Sequence, residues 1–275
     1  MTFWHEKSRD VRAATQASRI LPCRDPIAAA NELERAIREL RFCGAMINGH
    51  THGRYLDDPR YDPFWERVEA LAAPIYLHPA DPAVPYAALA GHDALTHATW
   101  GWGVETGSHA LRLIFHGTFA RFAKAKLLLG HLGETLPFLL WRFDSRATLY
   151  GVQLAKRPSD YIRESIAVTT SGMFAADPLL CTLNALGRRQ VMFSTDYPFE
   201  SVDAAAAFID NVALDTDVRE DICFGNCQAV VGLVKGQKLI GAKVARAKAK
   251  RRRPAAPLVA LIRRVQSDGR KPERH

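Results

Sequence analysis

Six short apolar runs, separated by stretches with a helical apolar repeat, leave this chain few folds to choose from. The runs are SRILPC, GAMINGH, PIYLHP, KLLLGH, IAVTTSG and VMFSTDYP, each bounded by Gly, Pro or Asp. Between them the apolar residues recur three and four apart, as on one face of a helix. The clearest case is DPIAAANELERAIRELRF, where Asp25 is placed to cap, Pro26 suits the first helical position and Glu34 precedes Arg38 by four residues. PFWERVEALA, LPFLLWRFDSRATLY and DPLLCTLNALG repeat the pattern, the last again opening on Asp-Pro and closing at a glycine. Strand followed by helix, repeated, predicts a parallel sheet, because each parallel pair needs a crossover and the helix supplies it.

Near-continuous apolar strands such as KLLLG are buried on both faces, which suits either a (β/α)₈ barrel or an open doubly wound sheet. The polar residues choose between the two. Nearly every run ends C-terminally in chemistry: Asn48 and His50, His78, His131 with Glu134, Thr170 and Ser171, Ser194 and Asp196. In a barrel these ends converge on one mouth, whereas an open sheet would scatter the outer ones. The expected fold is therefore α/β of the TIM-barrel type. No G-x-G-x-x-G after a strand and no P-loop is present to suggest a nucleotide.

Charge distribution removes another class of partner. The net charge of +8 suggests nucleic acid until it is divided along the 275 residues. Residues 235–275 hold 14 Lys and Arg against 2 Asp and Glu, or +12, which leaves residues 1–234 with 23 against 27, or −4. The body is mildly acidic and has no electrostatic reason to bind phosphate polymers. The expected organisation is a barrel domain over residues 1–233 and a basic, disordered extension over 234–275. The five cysteines are odd in number and form no C-x-x-C pair, so neither a disulfide framework nor a zinc knuckle is indicated. With no run of about 20 apolar residues and no signal-like N-terminus, no membrane partner is expected and the cytoplasm is the expected compartment.

Two histidines and an aspartate at strand ends, His78, His131 and Asp196, with Glu134 nearby, are the donor set of a divalent metal site with a general acid/base beside it. Pro79 and Pro198 stiffen the backbone just past His78 and Asp196. The alternative is a set of ordinary polar groups satisfied at strand ends. HTH at 50–52 has the look of a metal motif, but its place after the second run favours mouth-lining or surface placement over ligation. His92, His97, His109 and His116 read as ordinary residues of one helical stretch. Trp100 and Trp102, flanked by glycines, are candidates either for capping the pocket or for packing.

INGHTHGRYLDDPRYDPFWERVEALAAPIYLHPADP, LLLGHLGETLPFLLWRFD, FSTDYPFES and DICFGNCQAVVGL together resemble the amidohydrolase-related decarboxylases, the group acting on γ-resorcylate and 2,3-dihydroxybenzoate. The resemblance spans about residues 19–233. It implies a metal-dependent TIM barrel that removes CO₂ non-oxidatively from a small hydroxylated aromatic acid. By the same resemblance His78 is a metal ligand and Asp196 both touches the metal and handles a proton. His131 is an active-site histidine with Glu134 as its partner carboxylate, and Arg142 lies near the substrate pocket with His50. The metal would be Mn²⁺ or Zn²⁺, with Mg²⁺ as a further option, and the intact protein a homo-oligomer. The family opens on a strand ending in Glu-x-His or His-x-His. Here only His5 and Glu6 precede SRILPC, which corresponds to the third strand, so the resemblance implies a barrel lacking its first two strands. Two other readings stay open: a hydrolase of the same superfamily acting on an ester, lactone or amide, and an inactive remnant.

Overall fold

The structure, a computed structural model, describes residues 18–231. The basic extension expected over 234–275, and His5 and Glu6, lie outside the described residues. All six apolar runs form strands: β1 (Ser18–Ile20), β2 (Gly44–Asn48), β3 (Ile75–His78), β4 (Leu127–Leu129), β5 (Ile166–Thr169) and β6 (Val191–Met192). They pair in parallel and in sequence order, β1-β2-β3-β4-β5-β6. A doubly wound sheet reverses its strand order at a switch point. No reversal occurs here, and winding in one sense is how the α/β barrel is built.

The register sorts side chains into two faces. Ala45, Ile75, Leu127 and Ile166 form one row, and Ile47, Leu77, Leu129, Val168 and Val191 the next. All nine are buried beneath the helices. Burying each larger aliphatic side chain contributes about 1.5–3 kcal/mol, so these two rows hold the helical layer on the sheet. The alternate positions point to the opposite face, where Met46, Tyr76, His78 and Leu128 are half-buried and Asn48 is exposed.

The helices follow from caps and stripes. In α1 (Pro26–Arg38) the Asp25 carboxylate accepts from the N–H groups of Ile27 and Ala28, and Glu34 pairs with Arg38 at 2.8 Å. Helix α2 (Asp62–Leu71) buries Phe64, Trp65 and Val68. The Trp65 indole N–H donates to Leu56 O at 2.8 Å. Then come α3 (Gly101–Phe115), α4 (Leu136–Leu149), α5 (Pro158–Ser165), α6 (Ala176–Leu186), α7 (Val202–Asn211), α8 (Thr216–Glu220) and α9 (Asn226–Val230). Asn226, from the DICFGNCQAVVGL motif, donates to Arg188 O and Val191 O and ties the last described segment to β6.

Two expectations need correction. Helix α6 starts at Ala176 with Ala175 as its cap, and Asp177 sits inside the first turn, where its charge meets the positive helix end. The four histidines do not share one helix. Gly91 turns left-handed before His92, and the Cα of Gly101 packs so close to Thr96 O that a Cβ would lie 2.2 Å from it. The chain is thus broken into a short turn at Asp93–Thr96 and the separate α3. Only His109 lies inside α3; His92, His97 and His116 are at helix boundaries. Among the described residues no helix is long and apolar enough to cross a membrane.

Candidate active site

Past β4 the backbone makes a turn that side chains alone would not choose. His131, Leu132, Gly133 and Glu134 all have positive φ, at 51°, 55°, 81° and 57°. Such a conformation costs a non-glycine residue about 1–3 kcal/mol and persists only where the surroundings impose it. Leu132 is buried, the His131 N–H donates to Ser171 O at 3.2 Å, and Gly133 donates to Gly130 O at 2.7 Å. The outcome is that His131 Nδ1 lies 2.8 Å from Glu134 Oε1. The carboxylate accepts from Nδ1–H, which fixes the tautomer and turns Nε2 toward the cleft. Burial opposes charge on the ring, but the hydrogen bond and charge of Glu134, with Asp196 behind, outweigh it and hold the imidazole above its ordinary value.

Asp196 faces His131 from the far side, with Oδ2 4.0 Å from Nε2. That is too long for a hydrogen bond, so neither atom is committed to the other. Asp196 also has positive φ, 60°, and its carbonyl accepts from the N–H groups of Phe199 and Glu200 at 2.9 and 3.2 Å. Gly172 closes the cleft floor. A Cβ there would stand 2.9 Å from His131 Cδ2 and 3.3 Å from Asp196 Oδ2, and its φ of +65° already favours glycine.

His78 ends β3 on the face shared with Asn48 of β2. Its Nδ1 lies 2.9 Å from Pro79 O, so Nδ1 carries the proton and Nε2 keeps its lone pair. That is the tautomer a metal ligand needs. Asp196 supplies a carboxyl oxygen, and the two donor types are chemically suited to a divalent cation. Among the described residues, however, no three His, Cys, Asp or Glu side chains converge closely enough to hold one.

The structure brings His131, Glu134 and Asp196 together. His50 and Arg142 make no hydrogen bond to these three among the described residues. His50 Nδ1 accepts from Gly53 N–H and its Nε2 donates to Asp81 O, both at 3.1 Å, so backbone takes up both ring nitrogens. Arg142 is exposed on α4. Sequence reasoning missed Gly172, Gly130 and Gly103. A Cβ at Gly130 would meet the Tyr76 hydroxyl at 2.8 Å, and one at Gly103 would meet Glu134 Oε2 at 2.9 Å. Glycine next to a strand end was the available signal for the first two.

The amidohydrolase family profile matches residues 13–233. A γ-resorcylate decarboxylase from Polaromonas sp. strain JS666 is 40% identical over 219 residues, covering 76% of this chain and 67% of its own length. One from Rhodococcus jostii strain RHA1 is 42% identical over 208 residues, covering 70% and 63%. A crystal structure of dihydroxybenzoic acid decarboxylase from Polaromonas sp. JS666, with bound manganese and the inhibitor 2-nitroresorcinol, superposes with a TM-score of 0.74 at 39% identity, over 78% of this chain and 68% of that one. The chain thus spans about two thirds of the length of the curated relatives it matches.

Proposed function

Since the chain belongs to the amidohydrolase family, we propose that its chemistry is the metal-dependent, non-oxidative decarboxylation of an ortho-hydroxylated benzoate such as γ-resorcylate (2,6-dihydroxybenzoate). The observation that carries the reading is the His131–Glu134 pair at 2.8 Å facing Asp196 across a 4.0 Å gap. Direct loss of CO₂ would leave an aryl carbanion with no electron sink, so the carboxylated carbon must be protonated first. In this reading Asp196 delivers that proton. His131, held by Glu134, orients the ring and draws on the ortho hydroxyl. The C–C bond then breaks, its electron pair restores the aromatic ring, and CO₂ and the phenol leave.

His78 and Asp196 are the described side chains suited to the metal, and the manganese in the related structure makes Mn²⁺ the ion to test first. In the same reading Arg142 lies near the substrate pocket, and His50 lines the rim. A cytoplasmic homo-oligomer fits the reading. Helix α4 exposes Phe138 (81%), Trp141 (76%) and Leu149 (63%), an apolar face suited to a second copy.

The test is CO₂ release and phenol formation from a panel of dihydroxybenzoates, with Mn²⁺ present. Conversion of 2,6-dihydroxybenzoate to resorcinol is expected. Cleavage of esters or lactones with no CO₂ from any benzoate would replace the decarboxylase with a hydrolase.

A further inference from the structure

Helix α3 presents Trp102, Glu105 and His109 at spacings of three and four, along one face. Each is bonded to a loop that leaves the C-terminal end of a strand. The Trp102 indole N–H donates to Asp81 Oδ1 at 2.6 Å. Glu105, 3% exposed, accepts from the Tyr55 hydroxyl on Oε1 at 2.6 Å and from the Tyr86 hydroxyl on Oε2 at 3.0 Å. His109 Nε2 accepts from Leu56 N–H at 2.9 Å. Tyr55 and Leu56 belong to the loop after β2, and Asp81 and Tyr86 to the loop after β3, the strand that ends in His78. His50 joins the loops to each other through Asp81 O. The same helix reaches the catalytic pair, because Glu134 Oε2 packs against Gly103.

A buried carboxylate is a costly way to fill space. An aliphatic side chain would pack there without making demands on either loop. Here both oxygens are taken by hydroxyls that come from two different loops. Burial, then the Glu105 hydrogen bond, push the Tyr86 hydroxyl up to about 12 and raise Tyr55 well above its ordinary value, so both stay donors. We propose that Glu105 is a positioning residue that draws the loops after β2 and β3 onto α3 and so holds the rim of the site in register with the His131–Glu134 pair. Its consequence for ligand binding rests on the decarboxylase reading; the coupling of the two loops does not.

Amide hydrogen exchange on the full chain tests the coupling. Glu105→Ala should speed exchange about tenfold or more in both 50–58 and 80–92 while leaving β3 to β5 unchanged. Glu105→Gln keeps an acceptor and adds a donor, and should hold both loops within about threefold of wild type. Tyr86→Phe should free the second loop only. With Mn²⁺ present and 2,6-dihydroxybenzoate as the probe, Glu105→Ala should raise Kd about tenfold, with Mn²⁺ affinity unchanged. Faster exchange in one loop alone, or spread evenly over the strands, would make Glu105 a general stabilising residue and overturn the proposal. So would an unchanged Kd in a variant whose loops have loosened. A wild-type chain that takes up no 2,6-dihydroxybenzoate sinks the substrate reading, and exchange alone then decides the role of Glu105.

Discussion

Exchanging Asp196 for asparagine leaves an oxygen of the same reach but removes the acidic proton. If Asp196 protonates the ring carbon, Asp196→Asn should lower turnover of 2,6-dihydroxybenzoate by about 10³-fold or more, while Mn²⁺ uptake falls only in part. Glu134→Gln should be milder, about 10²–10³-fold, since the amide oxygen still accepts from His131 Nδ1–H and only the charge is lost. Phenol formation and metal content, measured on the same preparations, check both. Equal losses in the two variants would mean that the pair and the aspartate act as one unit, and the separate proton-donor role would fall. Gly172 belongs to the same scale: its missing Cβ is what leaves the space between His131 and Asp196 open.

Among the described elements, α4 carries the largest exposed apolar side chains. Its inner side is fixed by Leu136, Pro137, Leu140 and Ala147, which are buried, while Phe138, Trp141 and Leu149 stand out into solvent. Aromatic side chains bury about 150–250 Å² each, so this stripe reaches the size of the largest apolar patches that monomers tolerate. If a second copy covers it, replacing Phe138 and Trp141 with serine should shift the protein to monomers in sedimentation analysis while leaving its far-UV circular dichroism unchanged. A wild-type protein that sediments as a monomer would remove α4 as a self-association surface.

For the molecule as a whole, pH acts through a buried histidine on α3. His109 is 1% exposed, and burial first, then the Arg112 and His50 charges, lower its pKa from 6.5 to about 3. The folded state thus keeps the ring neutral at pH values where the unfolded chain protonates it. Stability from this group is complete above about pH 6.5 and is lost as pH falls toward 3, by up to about 1.4 kcal/mol per unit. Urea denaturation between pH 7 and 4 should show that decline. It should be flatter in His109→Gln, whose amide oxygen can still accept from Leu56 N–H. Parallel curves for the two proteins would assign the acid sensitivity to other groups.

The six strands, their parallel pairing and the Asp25 cap of α1 were legible from the sequence, because strand length and apolar runs are local signals that tertiary packing only had to accept, whereas the second Asp-Pro did not cap α6. His131 and Glu134 were legible as a pair because they lie three residues apart and meet within one turn. The left-handed turn that aims them, the 4.0 Å approach to Asp196, 65 residues further on, and the convergence of Tyr55 and Tyr86 on Glu105 were not. His50 shows the same limit, since its two backbone partners come from separate loops. Periodicity records which face of an element is apolar. It carries no record of which strand end a loop will lie against, and that was decided only when the sheet brought β2, β3, β4 and β6 to one side and α3 gripped the loops between them.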